Sequence, residues 1–294
     1  MNHVPARPRV GERLIALWLS GLFRIARTAP WFLVFVRPAI VRLVPLVSRQ
    51  VRISTRLNGA RLLGKSSASF TREVVGSFYD FVIDVGRSAR LSAAELREKI
   101  VAVEGEAAYL ALRAERRGAV LVTAHMGSFE VGLAALRTVE PSIRVVFKRD
   151  EFGGFERIRK SLRQRMGIIE APIDDGWTTL IGLRDALGNN EVVVMQADRA
   201  MTGQKARAVS FAGGTLRIPV GPVTLARIHG SPIVPVYTVR VGAGRYKVWL
   251  EPAIDADAPD AVEQIGRSIE KFVKDHPGQW LVLEPAFVED AHRG

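Results

Sequence analysis

Ala119-Val120-Leu121-Val122-Thr123-Ala124-His125-Met126-Gly127-Ser128-Phe129-Glu130 is the stretch on which the reading of the fold turns. Its first six residues form a short apolar run, the pattern of a strand buried on both faces. Met126-Gly127 reads as a turn, and Ser128 as the cap of a helix that runs to about residue 136. A buried strand that passes through a tight turn into a helix is the repeating unit of a parallel α/β sheet.

The pattern continues in both directions. Downstream, strands are expected at 143–147, 168–170, 191–196, 233–239, 246–250 and 280–283, with helices at 153–165, 178–187, 220–228 and 260–274. Upstream, apolar residues at helical spacing predict helices over 66–88, with Ser69 or Thr71 as cap, and over 104–116. Ser92 and Glu95 have the spacing of a capping box. Residues 10–60 read as helices broken near Pro30, Pro38 and Pro45. The class is therefore α/β, a mostly parallel sheet flanked by helices.

Charge divides the chain. Of the net +12, residues 1–65 carry +11, with twelve basic side chains against the single acid Glu12, and the remaining 229 residues carry +1. Apolar runs such as Leu14–Leu19 and Trp31–Val36 lie between the arginines. That is too apolar for a nucleic-acid tail, and no nucleic-acid partner is expected. Arg24, Arg27, Arg37 and Arg42 interrupt every stretch long enough to span a bilayer. They also continue beyond the apolar runs, unlike a cleaved signal peptide. The composition fits basic amphipathic helices lying in a bilayer interface, with an anionic membrane surface as partner. The plainer alternative is a basic helical cap packed on the body. The expected division is 1–65, membrane-associating, and 66–294, the α/β domain. The chain has no cysteine, which excludes disulfides, thiolate metal sites and a cysteine nucleophile.

Reactive groups in open α/β sheets collect where strands end and helices begin. His125 stands at such a point, and Glu130 lies in the first turns of the following helix. A carboxylate that fixes the tautomer of a histidine makes it a general base. Gly127-Ser128-Phe129-Glu130 lacks the last glycine of a serine-nucleophile turn, so the base is expected to activate a hydroxyl or amine of a substrate. Taken alone, a histidine at a strand end is as often an ordinary polar cap.

On further residues the chain resembles the lysophospholipid acyltransferase superfamily, and within it the bacterial lipid A biosynthesis acyltransferases and their glycolipid-acylating relatives. The family's first motif, histidine, four residues, then Asp or Glu, matches His125 and Glu130. Gln196-Ala197-Asp198-Arg199, Val209-Ser210-Phe211-Ala212-Gly213-Gly214, Pro219-Val220-Gly221-Pro222 and Gly230-Ser231-Pro232-Ile233-Val234-Pro235-Val236 match later blocks in order and spacing. The resemblance spans about residues 10–285. It implies a glycerolphosphate-acyltransferase-like fold and acyl transfer from an acyl-carrier protein or acyl-coenzyme A thioester to a lipid hydroxyl, such as that of a lipid A precursor. It further implies a His125–Glu130 dyad, no metal or other cofactor, and a place at the cytoplasmic face of a bacterial inner membrane, peripheral or monotopic. Substrate-binding roles are implied for Lys148, Arg149, Asp198, Arg199 and Gly213. Phe147 and Lys148 replace a Tyr-Arg pair of many relatives, and lysine lacks the planar fork of arginine. The bland readings are a solvated strand end for Lys148 and Arg149, and a local ion pair for Asp198 and Arg199. Two other functions fit the same residues: a thioesterase or lipid hydrolase using the dyad on water, and a lipid-binding protein without catalysis.

Overall fold

The computed structural model describes residues 21, 25, 28, 30–88, 91–149, 153–201 and 203–291. The arm before residue 21, with the apolar run Leu14–Leu19, lies outside the described residues. The centre of the molecule is β2 (Ala119–Thr123), all five residues of which are buried. It pairs in parallel with β5 (Val192–Gln196) on one side and β8 (Ile233–Gly242) on the other. Outward from β5 come β3 (Ile143–Phe147) and β4 (Ile169–Pro172), both parallel. On the far side of β8, β9 (Arg245–Leu250) runs antiparallel to it, and β1 (Ile100–Glu104) pairs in parallel with β9. The result is a seven-stranded, mostly parallel sheet of order β1-β9-β8-β2-β5-β3-β4.

Helices cover both faces, which is why the strands read as continuous apolar runs rather than as alternations. Val120 and Val122 face a core shared with α8 (Trp177–Gly188), α9 (Gly221–Ile228) and α10 (Ala261–Asp275). Ala119 and Leu121 face the opposite core, built with α3 (Ala68–Ser88), α5 (Glu106–Ala114), α6 (Phe129–Leu136) and α7 (Gly153–Arg165). A short α4 (Ala93–Arg97) begins at the expected capping box of Ser92 and Glu95.

Several details differ from the sequence reading. α1 (Pro30–Val47) carries Pro38 and Pro45 inside it without ending at either. The break comes at Ser48, whose side chain caps α2 (Arg49–Leu63), and the Arg52 guanidinium satisfies the free carbonyls of Pro45 and Leu46. The cap of α3 is Ser67, which accepts from the Phe70 N–H, not Ser69 or Thr71. β1 and the hairpin of β6 (Ala206–Phe211) and β7 (Gly214–Pro219) were not anticipated. The apolar run at 280–283 is not a ladder strand. Its contact with other strands is a single bridge from Trp280 to Met126, and the carbonyls of Val282 and Glu284 are taken by the buried Asn58 side chain.

α1 is fastened to the body by an ion pair that belongs to a larger network. Arg37 binds Asp80 of α3 at 2.8 Å, and Asp80 also binds Arg240 of β8 at 3.0 Å, which reaches Asp84 at 3.1 Å. Among the described residues, no single helix is long and apolar enough to cross a membrane. The α1–α2 pair has the length and composition, but it is bent by 94°.

Candidate active site

Strand register decides which groups meet. β2 and β5 run side by side with Thr123 opposite Gln196, and the Ala197 N–H closes on the Thr123 carbonyl at 2.8 Å. Two residues past the paired positions, beyond each strand, stand His125 and Asp198. The His125 ring Nδ1 lies 2.7 Å from Asp198 Oδ1, and the His125 backbone N–H donates to Oδ2 at 3.1 Å. The Trp280 indole N–H gives Oδ2 a second bond at 2.8 Å. Asp198 is fully buried, whereas the His125 side chain keeps 36% of its surface exposed. Burial pushes the Asp198 pKa up, but the charge and hydrogen bonds of His125, with the indole bond, outweigh it and hold the carboxyl below its ordinary range. A carboxylate so held accepts a hydrogen bond from Nδ1–H, which keeps the ring proton on Nδ1 and leaves Nε2 with its lone pair, the tautomer a general base needs.

The turn carrying His125 is braced from three sides. The Met126 N–H reaches back to the Ala124 carbonyl at 2.7 Å, the His125 carbonyl accepts from the Leu281 N–H at 2.7 Å, and the Gly127 N–H donates to the Gln279 carbonyl at 3.1 Å. Gly127 has φ +58°, and a Cβ there would sit 1.8 Å from the Thr238 carbonyl oxygen of β8. Only glycine lets this turn press so closely on the neighbouring strand.

The carboxylate expected to serve His125 is engaged elsewhere. Glu130, 1% exposed, accepts from the Arg159 Nε of α7 at 2.8 Å, and its second oxygen is buried without a hydrogen-bond partner. Its place on α6 aims it at α7, while the ring of His125, in the turn before the helix, meets the end of β5. Ser128 occupies the cap position of α6 but makes no capping bond, so the first-turn N–H groups of that helix have no side-chain acceptor from it.

The other expected residues separate. Lys148 is exposed after the carboxyl end of β3. Arg149 forms a two-pronged pair with Asp175 at 2.7 and 2.9 Å, and its backbone N–H binds Asp174. Arg199 pairs with Glu284. Gly213 sits in the β6–β7 turn at φ +74°, with its carbonyl accepting from Arg61 at 3.2 Å. Of the set, the structure brings only Asp198 to His125. Trp280 was missed altogether; no motif marks it, and its role depends on the path of the distant C-terminal segment. Among the described residues, no group of three or more His, Asp or Glu side chains is placed to hold a metal ion.

Beside the turn, a small, mostly apolar cavity lies between α6 and the sheet. Thr123 and Thr238, which flank the turn, line it together with Phe129, Leu133, Val194 and Val236.

Residues 14–288 match the family described as bacterial lipid A biosynthesis acyltransferase. The chain is also similar to two proteins named phosphatidylinositol mannoside acyltransferase. One, from Mycobacterium tuberculosis (strain ATCC 25618 / H37Rv), is 26% identical over 244 residues, 80% of this chain and 77% of the relative. The other, from Mycolicibacterium smegmatis (strain ATCC 700084 / mc(2)155), is 24% identical over 244 residues, 80% of this chain and 79% of the relative.

Proposed function

The chain belongs to the bacterial lipid A biosynthesis acyltransferase family, and on that premise we propose that it moves a fatty acyl group from an acyl thioester to a hydroxyl of a membrane glycolipid, with His125 as general base. The observation that carries the reading is the bond between the His125 Nδ1 and the buried Asp198, on a ring that stays partly exposed. His125 Nε2 takes the proton of the acceptor hydroxyl as its oxygen attacks the thioester carbonyl carbon. The tetrahedral oxyanion then collapses, the carbon–sulfur bond breaks, and the departing thiolate takes the proton from the imidazolium. The first-turn N–H groups of α6, left uncapped by Ser128, are the proposed oxyanion donors. The exposed cation of Lys148 suits an anionic group on the acceptor or on an acyl-carrier protein, and coenzyme A remains the other donor within this reading.

The same reading assigns residues 1–65 to membrane attachment and 66–294 to catalysis. Trp31 is 72% and Phe35 81% exposed on α1, and Leu46 and Val47 are exposed on the same helix. Such side chains beside arginines suit the interface of an anionic bilayer. The expected place is the cytoplasmic face of a bacterial inner membrane. The acceptor class draws on the relatives named for a mannoside lipid and on the family's lipid A description.

The test is thiol release from acyl thioester by the purified protein, with and without glycolipid in vesicles. The reading predicts release that depends on the glycolipid and falls by about a thousandfold or more in His125→Ala. Equal release without any acceptor would make the protein a hydrolase and overturn it.

A further inference from the structure

We propose that Trp280 is a positioning residue for acyl transfer, its indole N–H fixing the Asp198 carboxylate so that Oδ1 stays aimed at the His125 ring. The inference rests on the reading of His125 as the base. A carboxylate has two equivalent oxygens and turns about its Cβ–Cγ bond. In Asp198 that freedom is removed because the two oxygens face different donors: the His125 ring on Oδ1, the His125 backbone N–H and the Trp280 indole on Oδ2. The backbone bond, at 3.1 Å, is the longer of the two on Oδ2, and the indole bond, at 2.8 Å, is the shorter. Fully buried, Asp198 has no bulk water to replace a lost donor.

Packing alone does not account for a tryptophan at this place. The ring lies among aromatics, 5.9 Å from Phe211 and 6.3 Å from Phe287 between centroids, where a phenylalanine would also pack. What phenylalanine lacks is the N–H. The indole is held to the catalytic turn by its own backbone, through the bridge from Trp280 to Met126 and the Leu281 N–H on the His125 carbonyl. One residue earlier, the Gln279 side-chain amide bonds both backbone groups of Arg240 on β8, at 2.9 Å each. The segment therefore acts as a splint that fixes backbone and carboxylate together.

Two replacements at position 280 separate donor from shape: Trp280→Phe, and substitution of Trp280 by 3-benzothienylalanine, which keeps the bicyclic outline and loses the N–H. The full-length protein in vesicles is assayed for kcat and KM with acyl thioester and glycolipid. Its His125 Nδ1–H proton resonance is followed in protein labelled with 15N-histidine. Both replacements are expected to lower kcat roughly tenfold with KM unchanged, and to shift or broaden that resonance. Should Trp280→Phe fail to fold, the isosteric replacement decides alone. Unaltered kcat and resonance with 3-benzothienylalanine in place would overturn the proposal, leaving Trp280 a packing residue. His125→Ala, run alongside, keeps the two readings apart. If it abolishes turnover while the position-280 variants leave kcat and the resonance unaltered, only the Trp280 proposal fails. If it retains turnover, the base reading fails and takes this proposal with it.

Discussion

Asp198 and Glu130 are both buried carboxylates close in the chain or in space to one histidine, and their surroundings are opposite. Asp198, at the end of β5, accepts three hydrogen bonds, two of them from His125 itself. Glu130, on α6, is held by Arg159 through one oxygen while the other is buried unpartnered. The nearer residue in sequence faces a neighbouring helix; the residue 73 positions away meets the imidazole. Parallel strand register joins the ends of β2 and β5 regardless of chain distance, whereas a helix turns successive side chains away from the strand that precedes it.

Three substitutions probe that contrast, in falling order of effect. Gly127→Ala strikes the His125 side directly. Its Cβ would meet the Thr238 carbonyl at 1.8 Å in a left-handed conformation, so a loss of about 3 kcal/mol or more is expected in denaturant unfolding, with turnover lost alongside. Gly132→Ala, on α6 with Glu130, would meet the Thr238 hydroxyl at 2.1 Å, an atom that a rotamer change can move. A loss of about 1–2 kcal/mol is expected by the same measurement. If the two glycines proved equally sensitive, the backbone approach at the turn would not be what holds His125.

The third substitution is read against pH. The folded pKa of Asp198 is depressed, so its stabilising contribution is fully present above the ordinary aspartate value of about 3.9 and is lost as pH falls through the lower folded value. The stability gap between the native protein and Asp198→Asn should therefore shrink as pH falls below about 4. A gap unchanged at lower pH would mean that the ionised carboxylate is not the stabilising form. On α1, replacing Trp31 and Phe35 with serine should weaken binding to anionic vesicles roughly tenfold or more, with solution stability unchanged.

Much of this could be read from the chain, and the misses have physical causes. β2, β3, β5 and β8 carry mostly apolar runs and β9 ends on one, and the sequence suffices for them. β1 is a short edge strand with a mixed burial pattern, and β6 alternates exposed Arg207 and Ala208 with buried Val209; neither offers a continuous run. The run at 280–283 has the composition of a strand, but its backbone partners are the His125 turn and the Asn58 amide. The place of His125 between a strand and a helix was legible. The Asp198 partnership was not, because it exists only once β2 and β5 are in register, and Asp198 was expected to bind substrate instead. Trp280 is one step further removed, since it depends on where the C-terminal segment crosses that pair.

The most direct test of the His125–Asp198 pairing is the turnover number of Asp198→Asn and of Glu130→Gln, measured side by side on acyl thioester and glycolipid in vesicles. The account predicts a fall of about a thousandfold or more for Asp198→Asn, whose amide cannot stabilise the imidazolium, and less than about tenfold for Glu130→Gln. The reverse order, with Glu130→Gln the more damaging, would contradict it.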